Sequence, residues 1–85
     1  MVAKDDMTIE DRAFAEAVGA ILTAAKGDDL SYTDIAESAR LSRAHVVRIM
    51  SGSIDARLGD LKRIARLLDL DPYEVLREAE AAAKK

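Results

Sequence analysis

The sequence predicts an all-α fold, a compact domain of five helices. Three observations lead there. Apolar residues recur at three- and four-residue spacing in five separate segments, the period of a helix with one buried side. Four of those segments open on a capping residue: Thr8, Ser31, Ser42 or Asp71. Alternation of period two, the mark of a half-buried strand, occurs nowhere.

The elements follow in order. Residues 1–7 read as a flexible N-terminal tail, and residues 8–80 as the folded domain. Thr8-Ile9-Glu10-Asp11 has the pattern of a capping box, with the Thr8 oxygen available to the Asp11 amide. The first helix then runs to about Lys26, with Phe14, Val18, Ile21, Leu22 and Ala25 inward, and Gly27 ends it. Ser31 opens the second helix, with Asp34 three residues on and Ile35, Ala36 and Ala39 inward. Leu41 fills a tight turn. Ser42 caps a third helix at about 43–51 that buries Val46, Ile49 and Met50, and Gly52 supplies a left-handed end. Ser53–Arg57 reads as a loop. A fourth helix turns Leu58, Leu61, Ile64, Ala65 and Leu68 inward. Asp71-Pro72-Tyr73-Glu74 starts the fifth: an Asp cap, Pro in the first turn and Glu at the third position. That helix buries Val75, Leu76 and Ala79 and runs out over 81–85 as a helix end or tail.

Composition narrows the function classes. Of 85 residues, 49% are hydrophobic, but sixteen of these are alanine, so the larger apolar side chains suffice for one core and no second domain. Cysteine is absent, which removes disulfides and thiolate metal sites. His45 is the lone histidine, so no zinc site is expected and no cofactor is implied. No apolar run approaches the roughly eighteen residues of a membrane span, and Met1–Asp6 lacks the apolar stretch of a signal peptide. A cytoplasmic, nucleoid-associated protein is the expectation. Paired-carboxylate, triad and Gly-rich phosphate-loop patterns are all missing, so the chain reads as a non-enzyme.

The net charge of −3 hides a strong asymmetry. Residues 1–39 carry three basic and nine acidic side chains, whereas residues 40–66 carry Arg40, Arg43, Arg48, Arg57, Lys62, Arg63 and Arg66 against Asp55 and Asp60. Positive charge thus gathers on the third helix and the segment after it, where a local basic face can hold a polyanion even on an acidic protein. Two short helices joined by a tight turn, the second of them basic on its outer side, are the build of a helix-turn-helix.

The stretch Ser31 to Leu76 resembles the lambda-repressor-like helix-turn-helix domains of the Cro/cI or Xre type. The resemblance is carried by Ile35-Ala36, Leu41-Ser42, Val46, Ile49, Ser51-Gly52, Leu61-Lys62-Arg63-Ile64-Ala65 and Leu68-Asp69-Leu70. It departs from that pattern at Arg40, where such domains usually have Gly, at Tyr32, where many have Gln that orders a phosphate contact, and at Met50, where many have Glu. The resemblance implies a bacterial or phage-like transcription regulator, a repressor, that reads double-stranded DNA through the major groove. Arg43, Ala44, Val47 and Arg48 become the base-contact candidates: Arg43 suits guanine O6 and N7, while Ala44 and Val47 suit a thymine methyl. Tyr32, Thr33, Ser42, His45, Ser51, Ser53, Arg57 and Lys62 become the phosphate-contact candidates. One such module makes a small interface, which implies a homodimer on a two-fold operator. The fifth helix, through Tyr73, Leu76, Ala79 and Glu80, is the candidate dimer surface. Two alternatives stay open: an operator-binding antitoxin, and a protein-interaction adaptor that uses the acidic first helix.

Overall fold

The computed structural model describes Val2–Ala3 and residues 8–84. Five helices form: α1 (Ile9–Ala25), α2 (Tyr32–Ala39), α3 (Arg43–Met50), α4 (Leu58–Leu67) and α5 (Pro72–Ala83). Each predicted N-terminal cap is made. Thr8 Oγ1 accepts from the Asp11 amide at 3.1 Å, and Ser42 Oγ accepts from the His45 amide at 3.0 Å. Asp71 Oδ1 accepts from the Tyr73 amide at 2.9 Å. At α2 the capping box is complete: Ser31 Oγ takes the Asp34 amide and Asp34 Oδ2 takes the Ser31 amide, both at 3.1 Å. These bonds satisfy donors that a helix start otherwise leaves open.

Every helix contributes to one core. Its largest fully buried side chains are Leu22 from α1, Ile35 from α2, Val46 and Ile49 from α3, Ile64 from α4 and Val75 from α5. α1 lies along α5 and against α3 and so ties the helix-turn-helix to the chain's end. α2 packs on α3 and α4, and the first turns of α2 and α3 stay largely at the surface.

Several expectations are corrected. The sequence predicts no strand, yet Val2–Ala3 (β1) pairs antiparallel with Ile54–Asp55 (β2), inside the segment read as a loop. Two residues per strand are too few to leave a readable alternation. The rest of the predicted tail, residues 1 and 4–7, and Lys85 at the other end lie outside the described residues. Leu58 is 51% exposed instead of inward; as the first residue of α4 it reaches only the rim of a shallow apolar cleft shared with Phe14, Ile54, Leu61 and Leu76. Ala25 is exposed at the end of α1, and Leu68 is half-buried against the core. Gly27 does not take the left-handed conformation; α1 closes at Lys26 in extended backbone. Ala79, placed by the sequence both in the core and on the dimer surface, is fully buried and offers nothing to a partner.

Candidate nucleic-acid interface

The turn between α2 and α3 is shaped by Arg40. Its backbone is left-handed, with φ 60° and ψ 44°, and its amide bonds back to α2. The Leu41 amide then reaches the Ala36 carbonyl at 2.9 Å, closing the helix end, while Leu41 packs against the core. A non-glycine residue in this conformation costs about 1–2 kcal/mol. The chain accepts that cost at Arg40 to turn sharply into Ser42 and start α3.

α3 has the two sides expected from its spacing. Val46, Ile49 and Met50 are buried, while Arg43, Ala44, Arg48 and Ser51 are exposed and Val47 is half-buried. Its first turn does not stand alone. The Arg43 guanidinium carbon lies 6.0 Å from the centroid of the Tyr32 ring, and the Lys26 ammonium lies 5.0 Å from the same centroid. The starts of α2 and α3 and the end of α1 therefore meet at one corner. Lys26 was not among the sequence candidates, since nothing in linear spacing links the end of α1 to the start of α3.

Charge pairing divides the cations into two sets. Arg63 pairs with Asp60, Arg77 with Glu74 and Lys84 with Glu80. Among the described residues, Arg12, Lys26, Arg40, Arg43, Arg48, Arg57, Lys62 and Arg66 have no carboxylate within ion-pair distance. The turn and α3 thus keep their positive charge un-neutralised, which suits a polyanion. Lys62 is partly engaged, with its ammonium 5.8 Å from the Tyr73 ring on α5.

Between the turn and the start of α4 opens a groove of about 410 Å³, lined by Arg40, Leu41, Ser42, His45, Arg57 and Asp60. At its floor Asp60, only 8% exposed, faces His45 Nε2 at 3.4 Å and receives the Arg63 guanidinium. Burial of a carboxylate is tolerated where partners of this kind surround it. Asp60 escaped the sequence reading because an acidic residue in a first helical turn looks like an ordinary solvated one.

The phosphate candidates fare unequally. At α2 the capping box occupies the Asp34 amide and leaves the Tyr32 and Thr33 amides at the helix start. The Ser31 amide, and then the Ser31 hydroxyl, hold the Asp34 carboxyl below its ordinary value of 3.8. Ser42 and Arg57 border the groove. His45 lines the same groove, with its Nε2 3.4 Å from Asp60 Oδ2. The segment after α3 differs from expectation. The Ser51, Gly52 and Ser53 amides all bond back to α3 carbonyls, at 2.9, 3.1 and 2.9 Å, so none is free to donate outward. What Ser51 and Ser53 present is a pair of hydroxyls, 2.8 Å apart.

Among models of known protein families, the helix-turn-helix domain matches residues 12–79, so the chain belongs to that family, a fold of DNA-binding regulators. No curated protein and no solved structure matches the chain. Among the described residues no helix is long and apolar enough to cross a membrane.

Proposed function

We propose that this chain is a sequence-specific regulator of transcription, of the lambda-repressor-like type, that lays α3 in the major groove of double-stranded DNA. The observation that carries the reading is the corner where un-neutralised Arg43 leaves the first turn of α3 beside Tyr32 and Lys26. Arg43 is the base-reading arginine and Ala44 lets the helix approach closely. Val47 and Arg48 extend the reading face one turn further. The Tyr32 and Thr33 amides, the Ser42, Ser51 and Ser53 hydroxyls, Arg57 and Lys62 hold the backbone on either side. By occupying an operator such a protein represses transcription sterically. Two copies meet through the exposed side of α5, where Tyr73 and Glu80 stand out and Leu76 is half-buried. Selection from random duplexes by the purified protein tests this. An enriched two-fold site supports both reading and pairing. Failure to bind any duplex at low salt overturns the proposal in favour of a protein adaptor.

A further inference from the structure

Tyr32 is the point on which two cations converge. Its ring is half-buried and packs against the core, so it is a fixed platform and not a free surface side chain. Arg43 at 6.0 Å and Lys26 at 5.0 Å both lie within the range at which a ring's negative face attracts a cation. Neither has a carboxylate partner among the described residues; the ring is what restrains Arg43, while the Lys26 ammonium also donates to the Gly27 carbonyl at 3.5 Å. The Tyr32 hydroxyl, by contrast, makes no hydrogen bond to any described residue.

We infer that Tyr32 is a specificity-determining residue that acts through its ring: it positions the Arg43 guanidinium for base reading, and Lys26 adds a second cation to the same corner. This rests on the reading of Arg43 as a base contact. An arginine on a long flexible stem can reach a base edge or swing to a nearby phosphate. Contact with the phosphate holds the protein on DNA but carries no sequence information. A ring at the root of that choice favours the forward reach. Loss of the ring should therefore reduce discrimination more than it reduces overall binding.

The experiment compares Tyr32→Phe, Tyr32→Leu, Arg43→Ala and the Tyr32→Leu/Arg43→Ala double variant. Each is titrated with the duplex selected by the wild-type protein and with its single-base variants, at one salt concentration. Arg43→Ala identifies the base pair that Arg43 reads. At that pair Tyr32→Phe should discriminate like the wild type, and Tyr32→Leu should lose about two- to fivefold, the size of an exposed cation–ring contact. In the double variant the Leu substitution should remove no further discrimination. If Tyr32→Phe loses as much as Tyr32→Leu, the hydroxyl is responsible and the inference falls. It falls equally if Tyr32→Leu discriminates like the wild type while Arg43→Ala does not. If Arg43→Ala itself changes no base preference, the base-contact reading fails first and takes the inference with it. Melting curves confirm that each variant is folded at the assay temperature. Tyr32→Met, which fills the same space flexibly, replaces the Leu variant should that one not fold.

Discussion

Gly19 of α1 lies directly against the backbone of Gly52, the residue that turns the chain out of α3: a Cβ built on Gly19 would stand 2.8 Å from the Gly52 nitrogen and 2.7 Å from the Met50 carbonyl oxygen. Gly52 itself has φ +76° and faces the Glu16 Cα just as closely. One turn along, Thr23 Oγ1 donates to the Met50 carbonyl at 3.0 Å. The helix that holds α3 from behind therefore meets it backbone to backbone, and this contact fixes how far α3 stands out from the domain.

The first prediction sets two identical substitutions against each other. In a helix Ala is favoured over Gly by about 1 kcal/mol. At Gly59 in α4 nothing lies within 4 Å of an added Cβ, so Gly59→Ala should raise stability by about 0.5–1 kcal/mol. At Gly19 the same change drives a methyl into rigid backbone, and Gly19→Ala should cost about 1–3 kcal/mol. Denaturant midpoints at unchanged slope measure both. A stabilised Gly19→Ala protein would show that α1 and α3 are less closely packed than described.

Arg40 gives the second. Its φ of 60° costs an arginine more than it costs glycine. Arg40→Gly should therefore stabilise the fold by about 0.5–1 kcal/mol, after the larger freedom of glycine in the unfolded chain is counted. Binding to all duplexes should weaken slightly, because a groove-lining charge is lost. Thermal unfolding checks the first effect; a fold made less stable would contradict the strain at Arg40.

The fold was largely legible because its signals are local. Caps at Thr8, Ser31, Ser42 and Asp71 and the helical spacing of Val46, Ile49, Leu61 and Ile64 need no knowledge of tertiary structure. What escaped was set by tertiary contact. Gly19 looks like a weak point in a helix until Gly52 is seen against it. Asp60 looks solvated until His45 and Arg63 close over it. Lys26 looks like a plain helix end until the chain brings it onto Tyr32. That Ser51 and Ser53 offer hydroxyls and not amides was hidden because the bonds that turn their amides back onto α3 depend on the loop's path. Ala79, four residues after Val75, fits the inward side by spacing, and its small size let it be placed on the outer side as well; only packing decides between the two.

The third prediction concerns acid. Hydrogen bonds from Ser31 lower the Asp34 pKa in the folded chain below its ordinary value of 3.8. A carboxyl with a depressed folded pKa contributes stability that is fully present above its unfolded pKa and is lost as pH falls through the folded one. Asp34→Asn should thus be less stable than the wild type at neutral pH. The gap should narrow as pH drops below about 3.8 and protonation removes the wild type's advantage. A gap that stays constant into strong acid would show that the Asp34 charge contributes nothing to the cap.

Salt supplies the fourth. If un-neutralised cations displace counterions from DNA, affinity should fall steeply and log-linearly with salt, by about 0.9 per phosphate contact in slope. Arg57→Ala should weaken all duplexes alike and flatten that slope by about one contact. Lys62→Ala should do less, because part of its ammonium's interaction is with the Tyr73 ring. Titrations at several salt concentrations decide it, and a slope indifferent to Arg57 would remove that residue from the interface.

The last prediction separates reading from adhesion. Arg43 stands in the first turn of α3 and Val47 one turn further on the same side. If this side enters the groove, Arg43→Ala should relax preference at one guanine in each half-site, by about 1–3 kcal/mol. Val47→Ala should relax a neighbouring position by less, since one methyl contact is lost. It should leave non-specific binding nearly unchanged, since no charge is removed. Half-buried Val47 also touches the protein, so its variant needs a stability measurement alongside. The readout is affinity for the selected site against single-base variants at fixed salt. If Arg43→Ala weakened every variant by the same factor, Arg43 would be a phosphate contact. The reading face of α3 would then move towards Ala44 and Arg48, away from the corner that Tyr32 and Lys26 form.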